Sequence, residues 1–407
     1  MNNLGFQHDD EAKKVSSLVG SSYTSDAIFQ LEKQTLLRYL PHFVCTANKV
    51  AEPGQYAVCD SGTESVIVAC DEDNQLNAFA NVCRHRGTRL IDTSTLDGNA
   101  GTEPKRLKCF TCPYHAWRYD LKGKLISARQ EEQGNPAMQN MRLRALSAQE
   151  SAGLVFYHGN PVHYPQIEQL EQILGSLALE NTVVGARKTY PVKANWKLWV
   201  ENFLECWHCA PNHPELSSVK RFISQFEAND LPHYMQDDKS WREHAISTGW
   251  TPPVDNEFSS TPQFFNFNVS MPLAEGKKSA TKTGERLGPA LGGNEGLQGG
   301  ALFGALGPQL FYMAYVDYLV LFSVKPHTVG ETFVDIFWMV TPEFSGNKED
   351  LMWLWDTTVQ QDIFLVEQTH LGVSSMHYMP GPFCADEYRT EAFTAWWNDW
   401  KQANVDV

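Results

Sequence analysis

The first half of the chain has the residue pattern of a small β-sheet domain. Runs of β-branched and apolar residues, such as Ser65–Cys70 and Ala78–Val82, are separated by short groups of Asp, Asn and Gly. Such groups favour tight turns, and Asp120–Gly123 is typical of a hairpin connection. We therefore expect an all-β unit over residues 43–157.

The second half mixes strands with amphipathic helices. Apolar residues three and four positions apart predict a helix from Trp196 to about His208. Strands are predicted at Leu310–Pro326 and Glu331–Pro342, followed by a long helix from Lys348 to about Leu371. An aromatic helix, Glu391–Trp400, comes last. This order predicts an α+β domain.

These patterns divide the chain into three parts. Residues 1–40 are predicted to be a lead-in, 41–160 the β domain, and 161–407 the α+β domain. Many glycines lie between residues 284 and 308, but GxGxxG in a strand–turn–helix setting is absent. We expect a mobile loop there. Two interpretations of this loop remain open, a lid over a pocket and a surface loop without a gating role.

Composition narrows the class of protein. The chain has 407 residues, of which 42% are hydrophobic and 12% aromatic, so it can build sizeable cores. Its net charge of −15 disfavours binding to nucleic acid. The polar start, Met1–Asp10, does not resemble a signal peptide, and long apolar runs typical of membrane helices are absent. We expect a cytoplasmic protein whose nine cysteines are reduced.

Two short motifs in the β domain pair cysteine with histidine. Cys83 and His85 form the first, and Cys112 and His115 the second. Two thiolates on one iron and two imidazoles on the other are the ligands of a [2Fe–2S] cluster of the Rieske type. A zinc ribbon is the alternative, because Cys109–Cys112 and Cys206–Cys209 are both CxxC pairs.

A second set of residues suits a mononuclear iron. His208 and His213 are five positions apart, so the helix must loosen near Pro211 to bring them together. Two histidines and one carboxylate hold an iron and leave positions open for oxygen. Asp362 and Asp356 both lie among apolar residues of the long helix, and periodicity alone does not choose between them.

The segments Asn81–Gly87 and Cys112–Trp117 resemble the Rieske domain of Rieske non-haem iron oxygenases, although that family usually has glycine where Ala116 stands. The resemblance implies an α+β fold, with an N-terminal Rieske domain before a helix-grip (START-like) domain that has an antiparallel sheet and a long C-terminal helix. It also implies that Asp362 is the iron ligand beside His208 and His213.

Glu205 narrows the resemblance further. Most members of the family have Asp at this position, where the carboxylate bridges two metal centres in neighbouring subunits. The stretch Glu201–Cys209, in which cysteines flank an aromatic–histidine pair after Glu205, resembles the branch that acts on quaternary ammonium compounds, as does the segment 380–397. That branch usually has tyrosine where Trp207 stands. The resemblance implies a head-to-tail homotrimer in which His115 of one subunit approaches Glu205 of the next.

The predicted activity is hydroxylation of an N-methyl group of a small betaine-like compound, with N-demethylation and release of formaldehyde. NAD(P)H and flavin are expected to act only through a separate reductase, because the chain carries neither binding motif. An aromatic ring or a methoxy arene is the alternative substrate, and a non-catalytic zinc protein is the alternative class. Aromatic faces bind cations, and six residues of the catalytic half could supply them: Phe264, Phe265, Phe267, Phe311, Tyr312 and Tyr315.

Overall fold

The computed structural model describes residues 16–92, 104–128, 136–159, 164–220, 231–262 and 264–405. The polar start, Met1–Asp10, and the predicted boundary between residues 160 and 161 lie outside them. Among the described residues, no helix is long and apolar enough to cross a membrane.

The first domain, with the two helices that precede it in the chain, is built from antiparallel sheets. Its elements are α1 (Gly20–Thr24), α2 (Asp26–Thr35), β1 (His42–Thr46), β2 (Gln55–Asp60), β3 (Ser65–Cys70), β4 (Leu76–Ala80), β5 (Lys105–Arg106), β6 (Phe110–Thr111), β7 (Arg118–Tyr119), β8 (Leu125–Ser127), β9 (Ala145–Ser151) and β10 (Leu154–His158). The larger sheet has the order β1-β10-β9-β4-β3-β2-β5, and β6-β7-β8 form a small sheet. Every residue of β3 is buried, which explains its uninterrupted apolar run.

The second domain places helices around one antiparallel sheet. Its elements are α3 (Pro165–Leu174), β11 (Val183–Val192), α4 (Trp196–Leu204), α5 (Cys209–Asn212), α6 (Pro214–Val219), α7 (Leu231–Ser247), β12 (Asn256–Thr261), β13 (Phe264–Pro272), β14 (Gly300–Leu306), β15 (Leu310–Ala314), β16 (Tyr318–Thr328), β17 (Glu331–Val340), α8 (Lys348–Val373) and α9 (Tyr388–Val405). The sheet order is β11-β17-β16-β15-β14-β13-β12. The predicted α+β class is confirmed.

Two details of the second domain differ from the sequence prediction. Helix α4 ends at Leu204 rather than His208, because the backbone of Glu205 is extended. The glycine-rich segment is a loop only up to residue 299, since Gly300–Leu306 is a fully buried strand paired with β13 and β15. Glycine is needed in this strand, because a Cβ on Gly304 would lie 2.2 Å from the hydroxyl of Tyr312.

Candidate metal centres

The first Cys–His motif lies on a turn that follows β4. The buried side chain of Asn81 holds this turn, since its Oδ1 accepts hydrogen bonds of 2.9 Å from the N–H groups of residues 90 and 91. The N–H of Gly87 donates to the carbonyl of Cys83 at 3.0 Å. Gly87 has φ of +77°, which glycine adopts without steric strain. The backbone is therefore fixed on both sides of Cys83 and His85.

The second motif lies on a turn of the same design, between β6 and β7. The N–H of Ala116 donates to the carbonyl of Cys112 at 3.0 Å, as Gly87 does to Cys83 in the first turn. Ala116 has φ of +59°. A left-handed backbone is strained for alanine and free for glycine. The departure of Ala116 from the family pattern therefore falls on a position where glycine is physically preferred.

The two turns bring the four predicted cluster ligands together. Nδ1 of His85 lies 3.2 Å from Nδ1 of His115. Cys83 and Cys112 are both buried, and Sγ of Cys83 lies 3.3 Å from the hydroxyl of Tyr119. Two inner thiols and two outer imidazoles fit the donor set of a Rieske cluster.

The second predicted centre begins where α4 ends. Oε1 of Glu205 lies 2.5 Å from Nδ1 of His208. Its other oxygen, Oε2, accepts hydrogen bonds from the backbone N–H groups of Trp207 and His208. The carboxylate therefore stabilises the turn that replaces the predicted last turn of the helix, and it also orients the imidazole of His208. The helix loosens here, before Pro211.

His208, His213 and Asp362 meet in the second domain. Oδ1 of Asp362 lies 3.3 Å from Nε2 of His208 and 3.0 Å from Nε2 of His213. The other candidate carboxylate, Asp356, lies six residues earlier on α8 and forms an ion pair of 2.5 Å with Lys188. Asp362 is therefore the carboxylate of α8 that faces both histidines.

Three further side chains hold these groups in place, namely Asn202, Gln361 and Glu215, and no sequence motif indicates this role. Nδ2 of Asn202 donates to Oδ1 of Asp362 at 2.8 Å. Oε1 of Gln361 lies 2.8 Å from Nδ1 of His213, and Nε2 of Gln361 donates to Glu215 at 3.0 Å. The amide oxygen can only accept, so Nδ1 of His213 carries the proton and Nε2 keeps its lone pair.

The electrostatics of this site favour a bound cation. Burial alone would lower the pKa of His208, but the carboxylates of Asp362 and Glu205 raise it to about 10. Burial would raise the pKa of Asp362, but the two imidazoles lower it. Nε2 of His213 is buried and makes no hydrogen bond to any residue that the structure describes. Two imidazoles and one carboxylate that converge on one point are the ligand set of a mononuclear iron, so the three residues fit an iron ion.

His208, His213 and Asp362 line a pocket whose empty space, including the part open to solvent, is about 410 Å³. Aromatic and apolar side chains line much of it: Phe203, Leu216, Phe303, Met313 and Trp355. None of the six aromatic residues named from the sequence as possible cation-binding faces is among the side chains that line this pocket. Phe311, for example, packs behind Phe203, with ring centroids 5.3 Å apart.

The paired cysteines do not support a zinc ribbon. Cys112 packs with Cys83 in the core of the first domain, whereas Cys209 belongs to the core of the second. Cys206 and Cys209 both line the pocket, and a ligand atom of Cys209 lies within 4.8 Å of those of His208 and His213. The two CxxC pairs thus lie at different centres.

Comparison with known proteins agrees with this two-centre arrangement. Residues 41–146 match the Rieske [2Fe–2S] domain, and residues 179–403 match the catalytic domain of the ring-hydroxylating alpha subunit. The glycine betaine monooxygenase oxygenase subunit of Pseudomonas aeruginosa is 28% identical, covering 94% of this chain and 88% of that protein. The carnitine monooxygenase oxygenase subunit of Escherichia coli is 31% identical, over 56% of each chain.

Solved structures share the fold. A quaternary ammonium Rieske monooxygenase described for carnitine oxidation and inter-subunit electron transfer matches 96% of this chain and 95% of its own, with a TM-score of 0.69 and 19% identity. Naphthalene 1,2-dioxygenase from Rhodococcus covers 95% of each chain, with a TM-score of 0.57 and 16% identity. The chain belongs to the Rieske non-haem iron oxygenases, as an alpha subunit with a [2Fe–2S] domain and a catalytic iron domain.

Proposed function

We propose that the two groups of residues hold the two metal centres of a quaternary ammonium monooxygenase. Cys83, Cys112, His85 and His115 hold the [2Fe–2S] cluster, and His208, His213 and Asp362 hold the iron. The observation that carries this proposal is the convergence of two Nε2 atoms on Oδ1 of Asp362, at 3.3 and 3.0 Å, beside a pocket.

The reaction is hydroxylation of an N-methyl group. The bound iron supplies the activation of O2. One oxygen atom enters the C–H bond, and the other leaves as water after two electrons and two protons are supplied. The resulting N-hydroxymethyl compound breaks its C–N bond, which yields formaldehyde, a tertiary amine and a proton. The apolar pocket walls exclude water, while Asn202 and Gln361 keep Asp362 and His213 in their orientations.

Three observations support a quaternary ammonium substrate. Such a cation offers no hydrogen-bond donor, and the aromatic faces of Phe203, Phe303 and Trp355 in the pocket suit it. Several of the most similar relatives are named for glycine betaine or carnitine. Glu205 stands where most of the family has Asp. The same fold also serves an arene dioxygenase, so the fold by itself does not choose the substrate.

The electrons come from a separate NAD(P)H-dependent reductase and pass between subunits of a trimer. Glu205 is the bridge in this scheme, because its carboxylate contacts His208 and follows a helix end near the surface. The neighbouring Trp207 is 55% exposed. On the donor side, the imidazole of His85 is exposed next to His115, which suits contact with another subunit.

The test is a panel of substrates with O2, NADH and a reductase, scored for formaldehyde. Release from glycine betaine, carnitine or proline betaine in a ratio near one per O2 consumed supports the proposal. Hydroxylated product from an arene, or formaldehyde only from a methoxy arene, assigns the aromatic substrate class instead.

A further inference from the structure

A cysteine lies beside the two histidines of the iron site, and the proposed reaction does not use it. Cys209 follows His208 in the chain and begins α5. The N–H of His213 donates to the carbonyl of Cys209 at 2.8 Å, so these two residues lie four positions apart on the same side of one helical turn. Cys209 is 4% exposed and lines the pocket. The short helix therefore brings a thiol to the same place as the second imidazole.

The thiol and the two imidazoles are close enough to share one metal ion. Sγ of Cys209 and one ring nitrogen from each of His208 and His213 all lie within 4.8 Å of one another. Ligand atoms bound to one zinc ion, at about 2.0–2.3 Å from it, lie up to about 4.6 Å apart. A modest side-chain adjustment thus places all three around one ion. Three nitrogen or sulfur ligands, with a fourth position left for water, are a common arrangement around zinc.

A second cysteine holds this thiol in the cavity. The thiols of Cys206 and Cys209 are hydrogen-bonded to each other, and the N–H of Cys209 donates to the carbonyl of Cys206 at 3.2 Å. Both cysteines line the pocket, and both are free thiols. The sulfur of Cys209 is therefore fixed beside the imidazoles in a form that can bind a metal.

The site thus offers two sets of ligands that prefer different metals. His208 and His213 belong to both sets. The third ligand is either the carboxylate of Asp362 or the thiol of Cys209. A carboxylate beside two imidazoles suits iron, whereas thiolate sulfur selects softer ions such as zinc and copper(I). The choice between Asp362 and Cys209 therefore decides which metal is held.

We propose that Cys209, together with His208 and His213, forms a second mode of metal binding that holds zinc in place of the catalytic iron. The thiol proton is released to solvent as the Cys209 thiolate binds the ion. Zinc has no redox chemistry, so a chain that holds it cannot activate O2. This inference goes beyond the proposed function and shares two ligands with its iron site. Excess zinc therefore yields an oxygenase with an intact cluster and no turnover.

The first test uses the unmodified protein with its cluster in place. The mononuclear iron is removed with a chelator, the cluster content is checked by visible absorption, and an equimolar amount of zinc is added. X-ray absorption at the zinc edge is expected to show one sulfur neighbour at about 2.3 Å together with nitrogen neighbours at about 2.0–2.1 Å. Nitrogen and oxygen neighbours alone would place zinc on His208, His213 and Asp362 and would overturn the inference without any variant.

The second test uses two variants that should change the two metals in opposite directions. Cys209→Ser is expected to lose the sulfur neighbour and to bind zinc roughly tenfold more weakly, with its iron content unchanged, because a hydroxyl is a poor ligand for zinc. Asp362→Ala removes the carboxylate that iron needs and is expected to keep zinc with its sulfur neighbour. Loss of zinc from Asp362→Ala together with the iron would show that both metals use the same carboxylate, against the inference.

Two controls separate the loss of a ligand from an effect on folding. Cys209→Ala removes the sulfur without placing a hydroxyl in the core, and it should also lose the sulfur neighbour while it keeps the cluster. Cys384→Ser is the matched control, because Cys384 is exposed and is not among the residues that line the pocket. It should bind zinc like the unmodified protein. A sulfur neighbour that persists in both Cys209 variants would place zinc at another thiol and overturn the inference.

The two proposals fail in different ways. Formaldehyde release by the iron-loaded protein, with no zinc–sulfur contact in the zinc-loaded protein, would overturn the zinc site and leave the function standing. A zinc–sulfur contact through Cys209 in a protein that releases no formaldehyde when loaded with iron would overturn the proposed function and leave the zinc site standing.

Discussion

Nδ2 of Asn202 donates a 2.8 Å hydrogen bond to Oδ1 of Asp362, the oxygen that also faces both imidazoles of the second centre. Asn202 lies on α4 and Asp362 on α8, so this bond joins the two helices at the iron site. Oδ1 of Asp362 thus accepts a hydrogen bond from the amide of Asn202 and also faces the position that the metal would occupy. The arrangement accounts for a carboxylate that is almost completely buried.

Removal of this carboxylate should abolish the iron site and leave the cluster intact. In Asp362→Ala we expect loss of the mononuclear iron and of turnover, by at least a hundredfold, because two imidazoles alone bind iron weakly. The visible spectrum of the [2Fe–2S] cluster should be unchanged, because its four candidate ligands lie in the other domain. Iron analysis together with absorption spectroscopy measures both quantities.

Asp356→Asn is the matched control for this experiment. Asp356 lies on the same helix but pairs with Lys188 and accepts a hydrogen bond from Tyr190. Its loss should leave the iron content unchanged. If Asp362→Ala lost cluster and iron together, or if Asp356→Asn lost the iron, the assignment of the two centres would be wrong.

Glu205→Gln should keep both centres but slow the transfer of electrons between them. The amide of Gln can still contact His208, so the iron should remain bound, whereas the negative charge beside the imidazole is lost. We expect the reduced cluster to be reoxidised at least tenfold more slowly when O2 and substrate are added. Stopped-flow absorption of the cluster measures this rate, and Glu205→Asp, which keeps the charge, should be less impaired. A normal rate in Glu205→Gln would exclude Glu205 as the bridge.

The path between subunits has an independent test. Cys112→Ser should lack the cluster and Asp362→Ala should lack the iron, so neither homotrimer should turn over substrate. If electrons cross between subunits, co-expressed mixed trimers should regain activity, since an intact cluster then faces an intact iron site. Each mixed trimer has one junction out of three at which an intact cluster faces an intact iron site. We therefore expect mixed trimers to reach up to about a third of the activity of the unmodified enzyme. No recovery in trimers shown by mass spectrometry to contain both chains would place transfer within one subunit.

The sequence predicted much of this architecture because its strongest signals are local. The run Ser65–Cys70 corresponds to β3 residue for residue, since a strand buried on both faces is apolar over nearly its whole length, here from Val66 to Cys70. The pocket was harder to predict because its walls come from distant parts of the chain. Phe203 and Phe303 lie on α4 and β14, and no spacing in the sequence indicates that they share a cavity.

The choice between Asp356 and Asp362 shows the same limit. Both carboxylates lie on α8 among apolar neighbours, so helical periodicity treats them alike. The two carboxylates differ only in their contacts in the folded chain. Asp356 pairs with Lys188 on β11, whereas Asp362 faces two histidines. Resemblance to a family pointed to Asp362 where periodicity could not.

Ala116→Gly should stabilise the second cluster turn. Ala116 has φ of +59°, and relief of this strain should exceed the entropy that glycine adds to the unfolded chain, for a net gain of about 0.5–1 kcal/mol. The gain should appear as slower loss of the cluster absorbance on heating. Ala145→Gly, at an exposed position of β9, is the control and should make the loss of the cluster absorbance faster, because glycine destabilises a strand. Faster loss in Ala116→Gly would show that the methyl group makes a contact that outweighs the strain.

The stability of the first domain should depend on the protonation of His42. This side chain is buried on β1, its Nε2 lies 3.0 Å from the carbonyl oxygen of Leu37, and its ring stacks on Tyr157. Burial, which is the largest cause, and the nearby Lys325 and His158 together lower the pKa of His42 to about 4, although the hydrogen bond to Leu37 acts in the opposite direction. In the unfolded chain His42 has an ordinary pKa of about 6.5. Between about pH 4 and pH 6.5 it therefore binds a proton in the unfolded chain but not in the folded one.

The sign of the pH effect follows from this difference. Stability from neutral His42 is fully present above about pH 6.5 and is lost as the pH falls toward 4. Between pH 7 and pH 5 the loss should be about 2 kcal/mol in the free energy of unfolding, measured by urea titration. His42→Gln should reduce this pH dependence by the same amount. An undiminished pH dependence in His42→Gln would mean that the protonated imidazole is tolerated inside the fold.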